Sequence, residues 1–548
     1  MRRLSVLGLM ALLFLGVAPP AEAASGAEAA EGGLTRVDSY VQSQRDRTRA
    51  PGLAYAVVRG EQVIHQRTWG KDGNGAPVTP RTPFLVGSLA KPVTAMAVMR
   101  LAEEGRIALD GPVTTHLPWF RPSGAGADGI TVRHLLTHTS GISERDGYLR
   151  SDRYDNEPGA VGRLARSLAD IRLIETPGAR HEYSDANYML LAAVVEHVAE
   201  RPFGDHLRET VLEPLGMTGA ITDARIADRA GLAPGHRYFF GRPQPYAPPF
   251  DTSGVPYGYL GATLDDLGRF TAAQLGAPQS VVSPEGIRQM HAGTAAVRDA
   301  HRYGLGWRDD AFDDLGIRTV WHAGATPSYH SIVVLAPERN LAVVVQHNVY
   351  GVQSDELLNA TAFGALRILL GAEPQPSGAD PLLGYLLAGL CVTAVGLGAA
   401  VTWSLLRLAR PRSARTRSRR RMLLSGVLTA SACLLLAAVT YVVLPGQVAT
   451  DLRQVLLFAP DAGRLMVAVT ALALLLAGLR AAATVQMVAA APAVESDISS
   501  GLPRWRRSCP RPLRPAELPP PPHIPGTTRT RRRGPRGHRA PGSYRPRM

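Results

Sequence analysis

Cysteine is nearly absent. The 548-residue chain has three, Cys391, Cys433 and Cys509, and none in its first two thirds. That part therefore has neither a disulfide framework nor a thiol or cysteine-zinc site, and must be stable through its apolar core. Lysine is scarcer still: only Lys71 and Lys91 stand among 60 basic residues. Acidic residues are outnumbered, for a formal net charge of +14, but the excess is unevenly placed. Arginines crowd into Arg407–Arg421 and Arg504–Arg547, and the remainder is mildly acidic. Such a distribution speaks for membrane topology and against a basic binding face, so no nucleic-acid partner is expected. No internal repeat is evident.

The N-terminus has a basic start, an apolar run from Leu4 to Val17 and an A-x-A site at Ala21–Ala24. These describe a secretory signal peptide over residues 1–24. Residues 25–372 alternate strand-like and helix-like patterns. Leu53–Arg59 and Gln62–Thr68 read as a hairpin around Gly60, and Ser331–Ala336 with Leu341–Gln346 as another. Ala90–Glu104 and Tyr188–Ala199 read as helices. Hairpins at both ends with helices between predict an α/β (α+β) fold, one antiparallel sheet built from both termini and covered by helices. A linker at 373–381 precedes a membrane region at 382–489 with two or three transmembrane helices. Leu382–Leu406 and Met422–Val443 are clear spans, and Leu465–Ala489 is weaker because of Arg480. The arginine loop between the first two spans is expected inside, leaving residues 25–372 outside the cytoplasm. The Pro- and Arg-rich tail, 490–548, has too little apolar content to fold.

Ser88-Leu89-Ala90-Lys91 sits where a loop enters a helix. A spacing of three places both side chains on one helical face, so the amine reaches the hydroxyl. Serine needs a neighbouring base, and lysine, unlike arginine, can give up its proton when buried. A lysine retained here in so arginine-biased a chain is what a catalytic role requires. His134 and His138 lie four apart on a predicted helix, a spacing that also suits metal ligands. With no third ligand apparent, a structural role is favoured and no metal or other cofactor is expected. His65 is expected only to pack within its strand.

Phe84–Lys91 resembles the nucleophile segment of the serine β-lactamase and penicillin-binding-protein superfamily. The nearest branch holds class C β-lactamases, secreted DD-carboxypeptidases and related esterases. Ile130–Gly141, Gly261–Leu267, Tyr183-Ser184-Asp185 and Trp321-His322-Ala323-Gly324 resemble further segments of that branch, in its order. The resemblance implies an active site between the sheet and a helical subdomain. It implies Ser88 as nucleophile, and Lys91 and Tyr183 as partners in proton transfer, the phenol pKa lowered by the nearby cation. It also implies an oxyanion hole from the Ser88 and Ala325 N–H groups beside Gly324. Asp185 stands in place of the family's Asn, and His322 in place of a Lys that holds a substrate carboxylate. Both departures count against efficient β-lactam hydrolysis. The expectation is a membrane-tethered hydrolase acting on a D-amino-acid peptide, small ester or amide at the cell envelope. The alternatives are a true β-lactamase, or a sensing module that captures a ligand.

Overall fold

Consecutive apolar residues, and not alternating ones, form Gly52–Arg59, Tyr329–Ala336 and Leu341–His347, strands drawn from both ends of the domain. The computed structural model gives the reason: both faces of their sheet are covered. It describes residues 21–279, 281–378, 381–409 and 419–489. Most of the expected signal peptide (residues 1–20), most of the arginine loop (410–418) and the basic tail lie outside the described residues.

The strands are β1 (Gly52–Arg59), β2 (Gln62–Gly70), β3 (Ala295–Arg298), β4 (His301–Tyr303), β5 (Arg308–Phe312), β6 (Ile317–Thr326), β7 (Tyr329–Ala336) and β8 (Leu341–His347). They form one antiparallel sheet in the order β2-β1-β8-β7-β6-β5-β4-β3. The two hairpins expected from the sequence meet at its centre, Val57 opposite Val343 and Val343 opposite Val334. Along β1, Leu53, Tyr55 and Val57 pack with Val37, Val41 and Leu366, from helices α1 (Ala21–Thr48) and α4 (Asp355–Leu369). Ala54, Ala56 and Val58 face the other way, into the larger core around helix α2 (Ala90–Glu103). Period-two geometry thus divides one apolar run between two cores.

Between β2 and β3 lies the helical region, whose longest helix is α3 (Asp185–Ala199). It starts three residues before the periodic apolar pattern because Ser184 and Asp185 form its N-terminus. His134 and His138 do not share a helix. The helix spans only Val132–Leu136, and His138 lies beyond it at φ +56°. Thr131 caps that helix and His134 Nδ1 accepts from the Thr131 N–H at 3.2 Å, so His134 is occupied as a capping partner. His65 lies in β2 and its Nε2 meets Asp38 at 2.9 Å.

Three C-terminal helices are long and apolar enough to cross a membrane. They are α5 (Pro381–Ala409), α6 (Arg419–Ala438, continuing by a wider turn and a short helix to Gln447) and α8 (Pro460–Ala489), with mean hydropathy of 2.0, 2.3 and 2.1 over their most apolar windows. Arg480 does not disqualify the third. A short helix, α7 (Leu452–Phe458), joins the last two and docks on the sheet-and-helix domain. Gln454 Nε2 donates to Asp152 Oδ2 and to the Tyr148 carbonyl, each at 2.9 Å, and Arg453 donates to the Asp152 carbonyl at 3.1 Å.

Candidate active site

The chain leaves a two-residue strand (Phe84–Leu85), turns at Gly87 and enters α2 through a 3₁₀ turn over Gly87–Leu89. Gly87 has φ +58°, and a Cβ there would lie 2.1 Å from the Ala325 nitrogen, so only glycine fits. Gly324 faces it across the same contact; its Cβ would lie 2.1 Å from the Val86 oxygen and 2.4 Å from the Ser88 nitrogen. Pairing of β6 with β5 ends at Trp321, which leaves the His322–Thr326 edge to the Ser88 turn. Two glycines thus bring the Ser88 and Ala325 backbone nitrogens side by side. That arrangement suits a developing oxyanion.

Lys91, one turn along α2, is fully buried. Its Nζ donates to Ser88 Oγ at 2.9 Å and to the Tyr257 carbonyl at 3.0 Å, and is ion-paired with Asp185 Oδ1 at 2.7 Å. All three hydrogens of an ammonium therefore have acceptors. Asp185 opens α3, where its charge suits the helix dipole, and its second oxygen accepts from Ser151 Oγ at 3.2 Å.

Tyr183 is half-buried and lines the same cavity as Ser88. Its phenol is held well above the usual range, first by burial and then by the Asp185 carboxylate. This corrects the expectation that a nearby cation lowers it. Lys91 Nζ lies over the ring face, 4.9 Å from its centroid, and is paired with Asp185. His322 lines the site with both ring nitrogens engaged. Its Nδ1 donates to the Ala323 carbonyl at 2.6 Å, which leaves Nε2 to accept from the Tyr303 hydroxyl at 3.0 Å. Burial, then Lys91 and Arg308, push the imidazole well below its usual pKa. A neutral ring with both nitrogens engaged has no free N–H for a substrate carboxylate.

A cavity of about 770 Å³ opens on Ser88, lined also by Tyr183, Asp185, His322, Gly324 and Ala325. Among the described residues that line it, Arg308 is the one cation. Sequence reasoning missed Arg308, because its place beside the site depends on the register that puts it opposite Trp321, with the guanidinium 5.1 Å from the indole centroid. Glu144 was missed as well. Its carboxyl pKa is raised by burial and by the neighbouring Glu182 and Asp185. Among the described residues no cluster of three His, Cys, Asp or Glu side chains could hold a metal ion.

A family model described as Beta-lactamase matches residues 37–366. The chain belongs to the β-lactamase family. Members of this β-lactamase family are serine hydrolases, and the matched range spans the whole cluster around Ser88. Penicillin-binding protein 4 of Amycolatopsis lactamdurans is 30% identical over 369 residues, covering 62% of this chain and 94% of that protein. Protein flp of Staphylococcus aureus (strain MRSA252) is 26% identical over 320 residues, 57% of this chain. The chain spans only 62% of that relative's length. Among solved structures, the octameric penicillin-binding protein homologue from Pyrococcus abyssi superposes with a TM-score of 0.53 at 26% identity. It covers 62% of this chain and 78% of its own.

Proposed function

We propose that this β-lactamase-family chain is an exported, membrane-tethered serine hydrolase that works through a covalent acyl-enzyme. The observation that carries the reading is the 2.9 Å contact between Lys91 Nζ and Ser88 Oγ, beside the paired Ser88 and Ala325 nitrogens. The substrate carbonyl oxygen lies between those two N–H groups while Ser88 Oγ attacks its carbon. With every Lys91 hydrogen engaged, Lys91 takes the serine proton as it passes one of its own to Asp185, 2.7 Å away. Tyr183, a neutral phenol, donates to the leaving nitrogen or oxygen as its bond to the acyl carbon breaks, and regains a proton from that pair. Water then releases the acyl group by the reverse path.

The substrate is a D-amino-acid peptide, small ester or amide at the cell envelope. Arg308 supports a carboxylate-bearing substrate, since it can supply the charge that His322 does not. An ionised Asp185 accepts but does not donate hydrogen bonds, which disfavours β-lactams that need an amide there. The domain sits outside the membrane with three crossings. The Gln454–Asp152 bond supports this, because it requires the segment between α6 and α8 to share a side with the domain. The test is a substrate screen of the full-length protein in detergent, with Ser88→Ala as control. Wild-type turnover by the mutant refutes the assignment.

A further inference from the structure

The cavity that opens on Ser88 has a second end, and the enzyme domain does not build it. Leu383 and Leu386 of α5, Leu444 at the end of the α6 segment, Val455 and Phe458 of α7, and Met466 of α8 line it there. Phe458 packs edge-on against Tyr350 of the enzyme domain, ring centroids 6.0 Å apart, so the wall is continuous from one region to the other. At one end are a nucleophile, a carboxylate and Arg308; at the other, mostly aliphatic, thioether and aromatic surface from α5, the α6 segment, α7 and α8, with Gln447, Thr450 and Gln454 the polar exceptions. A small polar peptide would leave that second end unfilled. An amphiphile matches both.

We infer that the substrate carries a hydrocarbon chain: it is an acyl ester or amide whose carbonyl reaches Ser88 while its acyl chain lies against the domain-side ends of α5, α6 and α8. This rests on the reading of Ser88 as nucleophile and of those helices as membrane spans, and narrows it. The volume, about 770 Å³, falls among pockets that enclose a whole organic ligand. Because the helices insert in the bilayer, a chain already dissolved there reaches the cavity without crossing water. The chemistry is hydrolysis of one acyl C–O or C–N bond: the alcohol or amine leaves with a proton, and the acyl chain stays on Ser88 Oγ until water releases it as the carboxylic acid.

The experiment uses the full chain in phosphatidylcholine nanodiscs and p-nitrophenyl esters from acetate to dodecanoate, each below its aggregation concentration. Burial of each added methylene should raise kcat/KM about fourfold until the cavity is full, giving a medium-chain optimum. Met466→Trp and Leu386→Trp, on different helices, fill the apolar end. Each should lower the decanoate-to-acetate ratio of kcat/KM at least tenfold, and a ratio is insensitive to partial loss of folded enzyme. A flat or falling chain-length profile in the wild type overturns the inference, as does an unchanged ratio in both variants. If the esters turn over in Ser88→Ala as in the wild type, the nucleophile assignment itself has failed. Turnover that depends on Ser88 but ignores chain length sinks only the acyl-chain inference.

Discussion

Replacing Gly324 by alanine tests the oxyanion arrangement without touching any polar side chain. The new Cβ would lie 2.1 Å from the Val86 oxygen, 2.4 Å from the Ser88 nitrogen and 2.5 Å from the Leu89 nitrogen. All three are backbone atoms, so no flexible side chain can swing aside. Ordinary contact begins near 3.4 Å, so β6 and the Ser88 turn must separate by about 1 Å. The Ser88 turn is anchored from behind by the Val86 N–H bond to the Leu260 carbonyl at 2.9 Å, which resists a concerted shift. The two N–H groups then no longer converge on one oxygen, and losing one such donor costs about 10²–10³ in kcat. The assay is the acylation rate with p-nitrophenyl acetate, with the melting temperature followed in parallel. A variant that keeps its melting temperature and acylates within threefold of wild type would refute the reasoning.

Lys91→Arg preserves charge but cannot relay a proton, so acylation should fall by roughly 10²–10⁴, about as far as in Lys91→Ala; a rate near wild type would leave Lys91 only an electrostatic role. Asp185→Asn should raise the ratio of cephalosporin to ester turnover, measured as kcat/KM, because an amide can donate where the carboxylate cannot. Burial depresses the imidazoles of His138, His322 and His347 well below their usual pKa and that of His291 to about 3. Groups lowered in this way stabilise the fold fully above their unfolded value near 6.5 and progressively less as pH falls below it. One histidine kept neutral at pH 5 costs about 2 kcal/mol. Asp152 and Asp251, whose pKa values burial raises, soften the slope. The melting temperature should therefore drop between pH 7 and pH 5, and a constant value would contradict the burial of these rings. Reporter fusions after Glu373 and Thr450 should report one side of the membrane, and a fusion after Ala409 the other.

Much of the fold was legible because local signals and tertiary context agree. The hairpins at Gly60 and Pro337–Asn340 carry their own turn residues, and Asn340 adopts φ +50°. The Ser88–Lys91 pairing was legible because a three-residue spacing is enforced by one helical turn. What escaped notice depends on distance in sequence. Arg308 comes beside the site only through its register with Trp321, and Gln454 through a fold-back of about 300 residues onto Asp152. The state of Tyr183 was misjudged for a related reason. A motif names the neighbouring cation, but burial and the partner of that cation decide the pKa, and neither is written in the motif.

The central claim is that Ser88 becomes acylated, and intact-protein mass spectrometry with peptide mapping measures it directly. The full-length protein is incubated with a fluorophosphonate and, separately, with a slowly deacylating ester. One adduct, on the peptide carrying Ser88 and absent in Ser88→Ala, is the result expected. An adduct on another residue, or turnover with no adduct under either reagent, would contradict the account.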